Sequence, residues 1–206
     1  MTEFSSHIPG TFCWPELATT DQKAGVAFYR ALLGWDVNEQ PKVLAPPFDV
    51  MDAGRMAVLQ DPTGAVFQVW QAKVHIGAKI LNEPGALCWS ELTTRDPKAA
   101  ESFYIKLFGW TAKHSSPSAV MEYTEFHNQG KPGVGMLPMP AQMPATVPSY
   151  WMPYFQVADC DASTAKAKQL GAAAMVGPQD IPKTGRFTIL RDPQGAMFAV
   201  FTFAGA

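Results

Sequence analysis

The sequence predicts an α+β fold built from three consecutive β-α-β-β-β units, and two internal repeats support this. Residues 13–35, CWPELATTDQKAGVAFYRALLGW, match residues 88–110, CWSELTTRDPKAAESFYIKLFGW, without a gap. Residues 45–70, APPFDVMDAGRMAVLQDPTGAVFQVW, match residues 176–201, VGPQDIPKTGRFTILRDPQGAMFAVF. Because a repeat within a chain marks a recurring structural unit, the same unit is predicted to occur more than once.

The first unit is predicted to be a hybrid. Its head copies the unit that begins near residue 86, whereas its tail copies the unit that ends near residue 203. The two repeats have different offsets, and the difference is about the length of a βα unit with its strands. The simplest history is the loss of one internal block from a four-unit ancestor.

Each unit opens with a strand followed by a helix. The runs FCWPELAT and LCWSELTT have the short alternating pattern of strands. Asp21 and Asp96 then stand at helix starts, and Pro97 takes the first helical position in the second copy. Apolar side chains recur at helical spacing until Gly34 and Gly109, which are predicted to end the two helices.

Further strands and tight turns complete the units. The runs RMAVLQ, AVFQVW, MEYTEF, RFTIL and AMFAVFTF are predicted strands, and Asp-Pro-x-Gly turns begin at Asp61 and Asp192. These aspartates are interpreted as turn residues rather than catalytic ones. The third unit opens with WMPYFQV and continues with a helix over about 159–170. The predicted division is a hybrid unit at 11–72, a linker at 73–85 and a complete two-unit domain at 86–203.

Composition excludes several classes of function. A net charge of −2 gives no basic surface for nucleic acid or for anionic lipid. The first residues lack the pattern of a signal peptide and no window holds 18 apolar residues, so a cytoplasmic protein is expected. Cys13, Cys88 and Cys160 form neither a CxxC pair nor an even disulfide framework, and they are interpreted as small buried hydrophobic residues.

The order of elements, the FY..L.GW helix ending and the DP.G hairpin resemble the vicinal oxygen chelate superfamily of glyoxalases, bleomycin-resistance proteins and extradiol dioxygenases. The CWxEL strand, GRMAV.QDPTGAVF and HIGAKILNEPGALCW are similar to tandem glyoxalase-like proteins of bacteria, which carry four units in two domains. The resemblance covers about residues 10–203. It implies that two units curl into one half-barrel cup, with a divalent metal held by His, Glu or Gln side chains from first and last strands.

At the ligand positions that the resemblance implies, this chain carries poor ligands except for Gln68. The first-strand position, seven residues before the helix-starting aspartate, is occupied by Trp14, Trp89 and Met152. The last-strand position, four residues after the hairpin glycine, is occupied by Gln68 and Ala199. Indole and methyl groups cannot bind a metal, and a thioether is a poor ligand for hard or borderline ions. We therefore expect no metal cofactor at the usual ligand positions, and a divalent metal bound in another way stays an open alternative.

Strand alternation predicts which side chains face the cup. If Trp89 faces the cup, Glu91 and Thr93 share its face, while Cys88 and Leu92 point to the helices. The same alternation groups Trp14 with Glu16, and Met152 with Tyr154 and Gln156. An apolar cup would raise the pKa of Glu91 toward the range of a general acid or base. Alternatively, Glu91 is a structural carboxylate bonded to backbone or to an arginine such as Arg186.

The strand MEYTEFHNQG carries a second candidate group. Tyr123, Glu125 and His127 alternate on one face and would form a proton-handling trio if that face is the cup. A hairpin end exposed to water explains His127 equally well.

Two functions remain open from the sequence. The first is a glyoxalase-like protein that binds or transforms a small carbonyl or aromatic metabolite without the usual metal, lyase-like if it is an enzyme. Its predicted catalytic residues are Glu91, His127 and Tyr123. Its predicted substrate-binding residues are Trp89, Glu125, Met152, Tyr154, Gln156 and Arg186. The alternative is a non-catalytic binding protein of the bleomycin-resistance type. In either case the unmatched hybrid unit predicts a homodimer through residues 11–72.

Overall fold

The computed structural model describes residues 4–13, 22–34, 47–118 and 121–205. Its helices are α1 (Gln22–Leu33), α2 (Pro97–Phe108) and α3 (Cys160–Gln169). The hybrid unit contributes strands β1 (Phe48–Val50), β2 (Gly54–Gln60) and β3 (Val66–Ala72). The strands that follow are β4 (Leu87–Thr94), β5 (Thr111–Ser118), β6 (Met121–Asn128), β7 (Lys131–Pro138), β8 (Tyr150–Gln156), β9 (Ala173–Ile181), β10 (Gly185–Arg191) and β11 (Met197–Phe203). Within the described ranges, none of the helices is both long and apolar enough to span a bilayer.

Strands β4 to β11 form one eight-stranded sheet in the order β5-β6-β7-β4-β8-β11-β10-β9. Its centre is the antiparallel pair β4 and β8, the first strands of the second and third units. The last strand of each unit lies parallel to its first, β7 beside β4 and β11 beside β8. The predicted α+β fold of repeated β-α-β-β-β units is therefore confirmed.

Helices α2 and α3 cover one face of this sheet. Asp96 accepts a hydrogen bond from the Ala99 amide at the start of α2, and Gly109 ends that helix with a φ of 69°. Tyr104 of α2 is fully buried, and it packs in a cluster with Leu92 and Phe126 from the sheet. We call the opposite face of the sheet, which carries Trp89, Glu91, Met152 and Tyr154, the cup face.

The head and the tail of the hybrid unit pack against different parts of the large sheet. Phe28 and Leu32 of α1 join the core cluster that contains Phe198 of β11. In contrast, Phe67 of β3 contacts the aromatic rings of α2, with its ring centroid 5.6 Å from that of Tyr104. The head thus lies on the third unit and the tail on the second.

The Asp-Pro-x-Gly turn of the hybrid unit is fastened to α2. Oδ1 of Asp61 accepts hydrogen bonds from the Thr63 and Ala65 amides at 2.8 and 3.0 Å. Oδ2 accepts the hydroxyl of Tyr104 at 2.9 Å. Both side chains are buried, so this hydrogen bond joins the tail to the second unit out of contact with water.

The second Asp-Pro-x-Gly turn lies near Tyr29 of α1. Oδ1 of Asp192 accepts the amides of Gln194 and Ala196 at 2.9 and 2.8 Å. Burial first, and then the charge and hydrogen bond of Asp192, raise the pKa of Tyr29 above its usual range. The helix with the FY motif in each of these units therefore lies beside the DP.G turn of a different unit. The hybrid unit consequently attaches at two places, through its helix α1 to the third unit and through its turn to the second unit.

Residues 14–21 and 35–46 lie outside the described residues, and with them the predicted first strand of the hybrid unit and the pairing of Trp14 with Glu16. Beyond them, the face of β2 and β3 turned away from α2 carries Met56, Val66 and Trp70 together with Gln60 and Gln68, and Val66 is 55% exposed. A face that mixes exposed apolar and polar side chains is compatible with association with a second copy. The division at residues 11–72 and the homodimer through them stay predictions.

Candidate functional site

Strand β4 places its side chains largely as alternation predicts. Glu91 is only 8% exposed, and Leu92 is fully buried against α2. Cys88 is an exception, because a register shift between Leu87 and Trp89 turns it toward the cluster that contains Trp89 rather than toward the helices. Burial raises the pKa of the Cys88 thiol to about 12, so it stays protonated near neutral pH.

The carboxyl group of Glu91 is held between two tyrosines. Tyr154 of β8 donates its hydroxyl to Oε1 of Glu91 at 2.7 Å, and Tyr123 of β6 is a second hydrogen-bond partner. Burial raises the pKa of Glu91 above its usual range, although both hydrogen bonds act in the opposite direction. Burial and the nearby charge of Glu91 also raise the pKa values of the two tyrosines, which keeps both hydroxyls protonated as donors.

Trp89 completes this group. Its indole Nε1 donates to the hydroxyl oxygen of Tyr123 at 2.9 Å. The predicted residues Trp89, Glu91, Tyr123 and Tyr154 therefore form one continuous hydrogen-bonded set, which we call the Glu91 cluster. Strands β4, β6 and β8 supply it, and β7 lies between β6 and β4, so its geometry depends on the register of four strands.

Gly135 was not predicted as a site residue, although the cluster depends on it. It is the direct cross-strand partner of Glu91 on one side and of Glu125 on the other. A Cβ atom at this position would lie 1.8 Å from the hydroxyl of Tyr123 and 2.8 Å from Nε1 of Trp89. Because Gly135 has no side chain, the Tyr123 hydroxyl fits into the space that a side chain there would occupy. A glycine inside the strand KPGVGMLP was the available signal, since such a glycine often marks a close approach.

The predicted trio of β6 shares one face of the strand, with a second acid-base pair beside Tyr123. Nε2 of His127 lies 2.6 Å from Oε1 of Glu125, and Nδ1 lies 3.3 Å from the carbonyl oxygen of Gly130. The side chains of His127 and Glu125 are 17% and 32% exposed. This pair is therefore closer to water than Glu91.

The other predicted binding residues occupy different surroundings. Met152 is buried beside Tyr154 on the cup face. Gln156 is half-buried, and its Oε1 has no hydrogen-bond partner among the residues that the structure describes. Arg186 is bonded to Asp161 at 2.8 Å and to Asp180 at 3.0 Å. It is separate from the Glu91 cluster, so the alternative in which Arg186 pairs with Glu91 is wrong.

The side chains at the four expected ligand positions of the cup do not fit a divalent metal. Ala199 is the parallel-strand partner of Tyr154, just as Gly135 is the partner of Glu91, so these are equivalent last-strand positions. Together with Trp89 and Met152 they offer a methyl group, a hydrogen atom, an indole and a thioether. Among the described residues, His, Cys, Asp and Glu nowhere gather in a group of three or more that could hold a metal ion.

Glu91→Gln is expected to change how stability depends on pH. A raised folded-state pKa means that the native protein holds a proton which the unfolded chain releases above its own value near 4.5. The stabilising contribution of Glu91 is therefore present below this pH and is lost as the pH rises through the folded-state pKa. In urea unfolding at a series of pH values, the free energy of unfolding of the wild type should fall relative to that of Glu91→Gln as the pH rises. Glu122→Gln, at an exposed position, is the control. A difference between wild type and Glu91→Gln that is constant with pH would contradict the assignment.

Comparison with known families agrees with this architecture. Residues 86–200 match the family described as the Glyoxalase/Bleomycin resistance protein/Dioxygenase superfamily. The chain belongs to this superfamily. The matched residues contain the whole Glu91 cluster, so the cluster lies within a glyoxalase-superfamily domain.

Two similar proteins extend the comparison. The chain is 34% identical to "Putative glyoxylase CFP32" of Mycobacterium tuberculosis, with 97% of each chain covered. The aligned span of 257 positions is longer than this chain, so the match contains gaps, in agreement with a missing internal block. The chain is also 36% identical to the anthracycline biosynthesis protein DauV of a Streptomyces species, over 77% of this chain and 56% of that protein.

A solved structure shows the same fold. The 2,3-dioxygenase LapB of Pseudomonas sp. KL28 superposes with a TM-score of 0.52 and 14% identity, over 88% of this chain and 68% of LapB. At this identity the similarity concerns the fold alone.

Proposed function

We propose that the protein binds a small carbonyl or aromatic metabolite on the cup face and that Glu91 transfers a proton to or from it. The observation that carries this proposal is the buried carboxyl group of Glu91, held by Tyr154 and Tyr123 with its pKa raised. A carboxyl group with a raised pKa is suited to general acid-base chemistry near neutral pH. The bound molecule would lie against the indole of Trp89, a half-buried member of the cluster.

The proposed chemistry uses the side chains of this chain alone. The cup positions do not fit a metal, so we route no step through one. The proton on Glu91 is the group to be transferred, and the hydroxyls of Tyr154 and Tyr123 stabilise the carboxylate that remains. The names of the relatives, a glyoxylase and an anthracycline biosynthesis protein, are compatible with carbonyl or aromatic ligands.

Close packing of the cup favours a second candidate, a binding protein without chemistry. Tyr154 is 6% exposed and Met152 is 2% exposed, so a ligand has limited access to the carboxyl group of Glu91. A molecule stacked on Trp89 could be held with no proton transferred.

Glu91→Gln separates the two candidates. We would measure binding of a panel of small aldehydes, ketones and aromatic carbonyl compounds by calorimetry, and turnover of each ligand by product analysis with a chelator present. An acid-base role predicts a fall in kcat of about 10²–10⁴-fold with affinity largely kept. A binding role predicts altered affinity and no turnover in wild type. Glu122→Gln should behave as wild type, and a wild-type protein that binds no member of the panel would contradict both candidates.

A further inference from the structure

Glu91 is nearly closed off from solvent, yet a group that transfers protons must exchange them with water. Both of its hydrogen-bond partners are tyrosine hydroxyls. Tyr154 is itself buried in an apolar cluster with Met152 and Phe201, and its further titratable neighbour is Tyr150 of the same strand. Tyr123 is only partly buried, so a proton that passes between Glu91 and solvent has a shorter route through Tyr123 than through Tyr154.

The hydroxyl of Tyr123 lies beside Glu125. It occupies the space where a Gly135 side chain would begin, 1.8 Å from the ideal Cβ position. Gly135 is the direct cross-strand partner of Glu125, and the Cβ positions of such partners are about 4.5–5.5 Å apart. The side chain of Glu125 therefore begins about one cross-strand spacing from the Tyr123 hydroxyl. Its charge contributes to the raised pKa of Tyr123.

Glu125 lies between Tyr123 and the more exposed end of the strand. It is bonded at 2.6 Å to His127, whose other ring nitrogen faces the carbonyl oxygen of Gly130. On the outer side, Lys113 of β5 is the cross-strand partner of Glu125. Histidine is the side chain best suited to take up and release protons near neutral pH.

We propose that Tyr123, Glu125 and His127 form the path by which Glu91 exchanges its proton with solvent. In the inward direction, protonated His127 gives its Nε2 proton to Glu125, and Glu125 gives a proton to the oxygen of Tyr123. Tyr123 releases its hydroxyl proton to the carboxylate of Glu91, and His127 takes a new proton from water. Each bond to hydrogen that breaks is matched by one that forms, so one proton moves inward without any redox change. This path would serve the acid-base role proposed above, but it is a property of the ligand-free protein.

A pH jump on the ligand-free protein tests the path. Time-resolved infrared spectroscopy would monitor the protonation of Glu91 through the band of its protonated carboxyl group. This band is assigned to Glu91 by its absence from the spectrum of Glu91→Gln. Tyr123→Phe removes the hydroxyl but keeps the ring, and it should slow protonation about tenfold or more. His127→Ala should also slow it. Free imidazole in the buffer should restore the rate in His127→Ala and leave Tyr123→Phe slow.

Tyr150→Phe is the matched control. Tyr150 is a tyrosine of β8 near Tyr154, and the hydrogen-bond partners of Glu91 among the described residues are Tyr154 and Tyr123, so the rate should stay near that of wild type. Near-ultraviolet circular dichroism would verify that each variant is folded. Equal slowing by Tyr150→Phe and Tyr123→Phe, an unchanged rate in His127→Ala, or a wild type without the Glu91 band would each overturn the path. Because no ligand is added, failure of the ligand-binding proposal leaves this result intact.

Discussion

Replacing Gly135 with alanine is expected to destabilise the protein by about 1–3 kcal/mol, the usual range for overpacking a buried site, and to abolish ligand binding on the cup face. The added methyl group would lie 1.8 Å from the Tyr123 hydroxyl and 2.6 Å from the ring carbon that carries it. Neither the strand backbone nor the tyrosine ring can absorb an overlap of this size without movement. Tyr123 must therefore leave its place between Trp89 and Glu91, which breaks the Glu91 cluster. Chemical unfolding and ligand calorimetry would measure the two effects.

Gly133→Ala is the matched control for this experiment. Gly133 lies two residues away on the same strand, and a Cβ there would meet only the carbonyl oxygen of Phe126 at 3.5 Å, an ordinary contact. It should leave stability and binding close to wild type. In a Tyr123→Phe background the penalty of Gly135→Ala should shrink, because the shortest contact disappears. Equal effects of the two glycine substitutions would contradict the role assigned to Gly135.

The parts of the fold that depend on local pattern were predictable from the sequence. Asp96, Pro97 and Gly109 mark the ends of α2 through side-chain capping and backbone preference, which are local effects. The period of two along a strand likewise predicted that Trp89 and Glu91 share a face. The prediction for Cys88 was wrong because a bulge shifts the register by one residue, and alternation counts residues without detecting a bulge.

The parts of the site that depend on distant residues were not predictable in the same way. The role of Gly135 follows from three strands lying side by side, so it becomes evident only when Glu91, Tyr123 and Gly135 are in register. Asp61 and Tyr104 were each identified as members of a repeated motif, but neither motif states which unit it meets. The sequence allows the FY helix of one unit to pack against the DP.G turn of any unit. The packing of the units across the large sheet determines which helix and which turn meet.

Asp61→Ala is expected to lower the free energy of unfolding by about 2–4 kcal/mol, because buried donors lose a charged acceptor. The substitution removes the acceptor of the Thr63 and Ala65 amides and of the Tyr104 hydroxyl together. Tyr104→Phe removes only the last of these bonds to Asp61 and should cost about 1.5–3 kcal/mol. A double-mutant cycle with Asp61→Asn would isolate the bond between the two side chains.

Limited proteolysis would show which segment each bond fastens. Since Asp61 joins the β2–β3 hairpin to α2, Asp61→Ala should expose that hairpin to cleavage while α1 stays protected. Tyr29→Phe should have the reciprocal effect, exposing α1 while the hairpin stays protected, because Tyr29 interacts with Asp192 of the third unit. Opening of the same segment in both variants would contradict separate attachment of head and tail. The reciprocal result would show that a chain with an odd number of units is stabilised by fastening each half of the hybrid to a different partner.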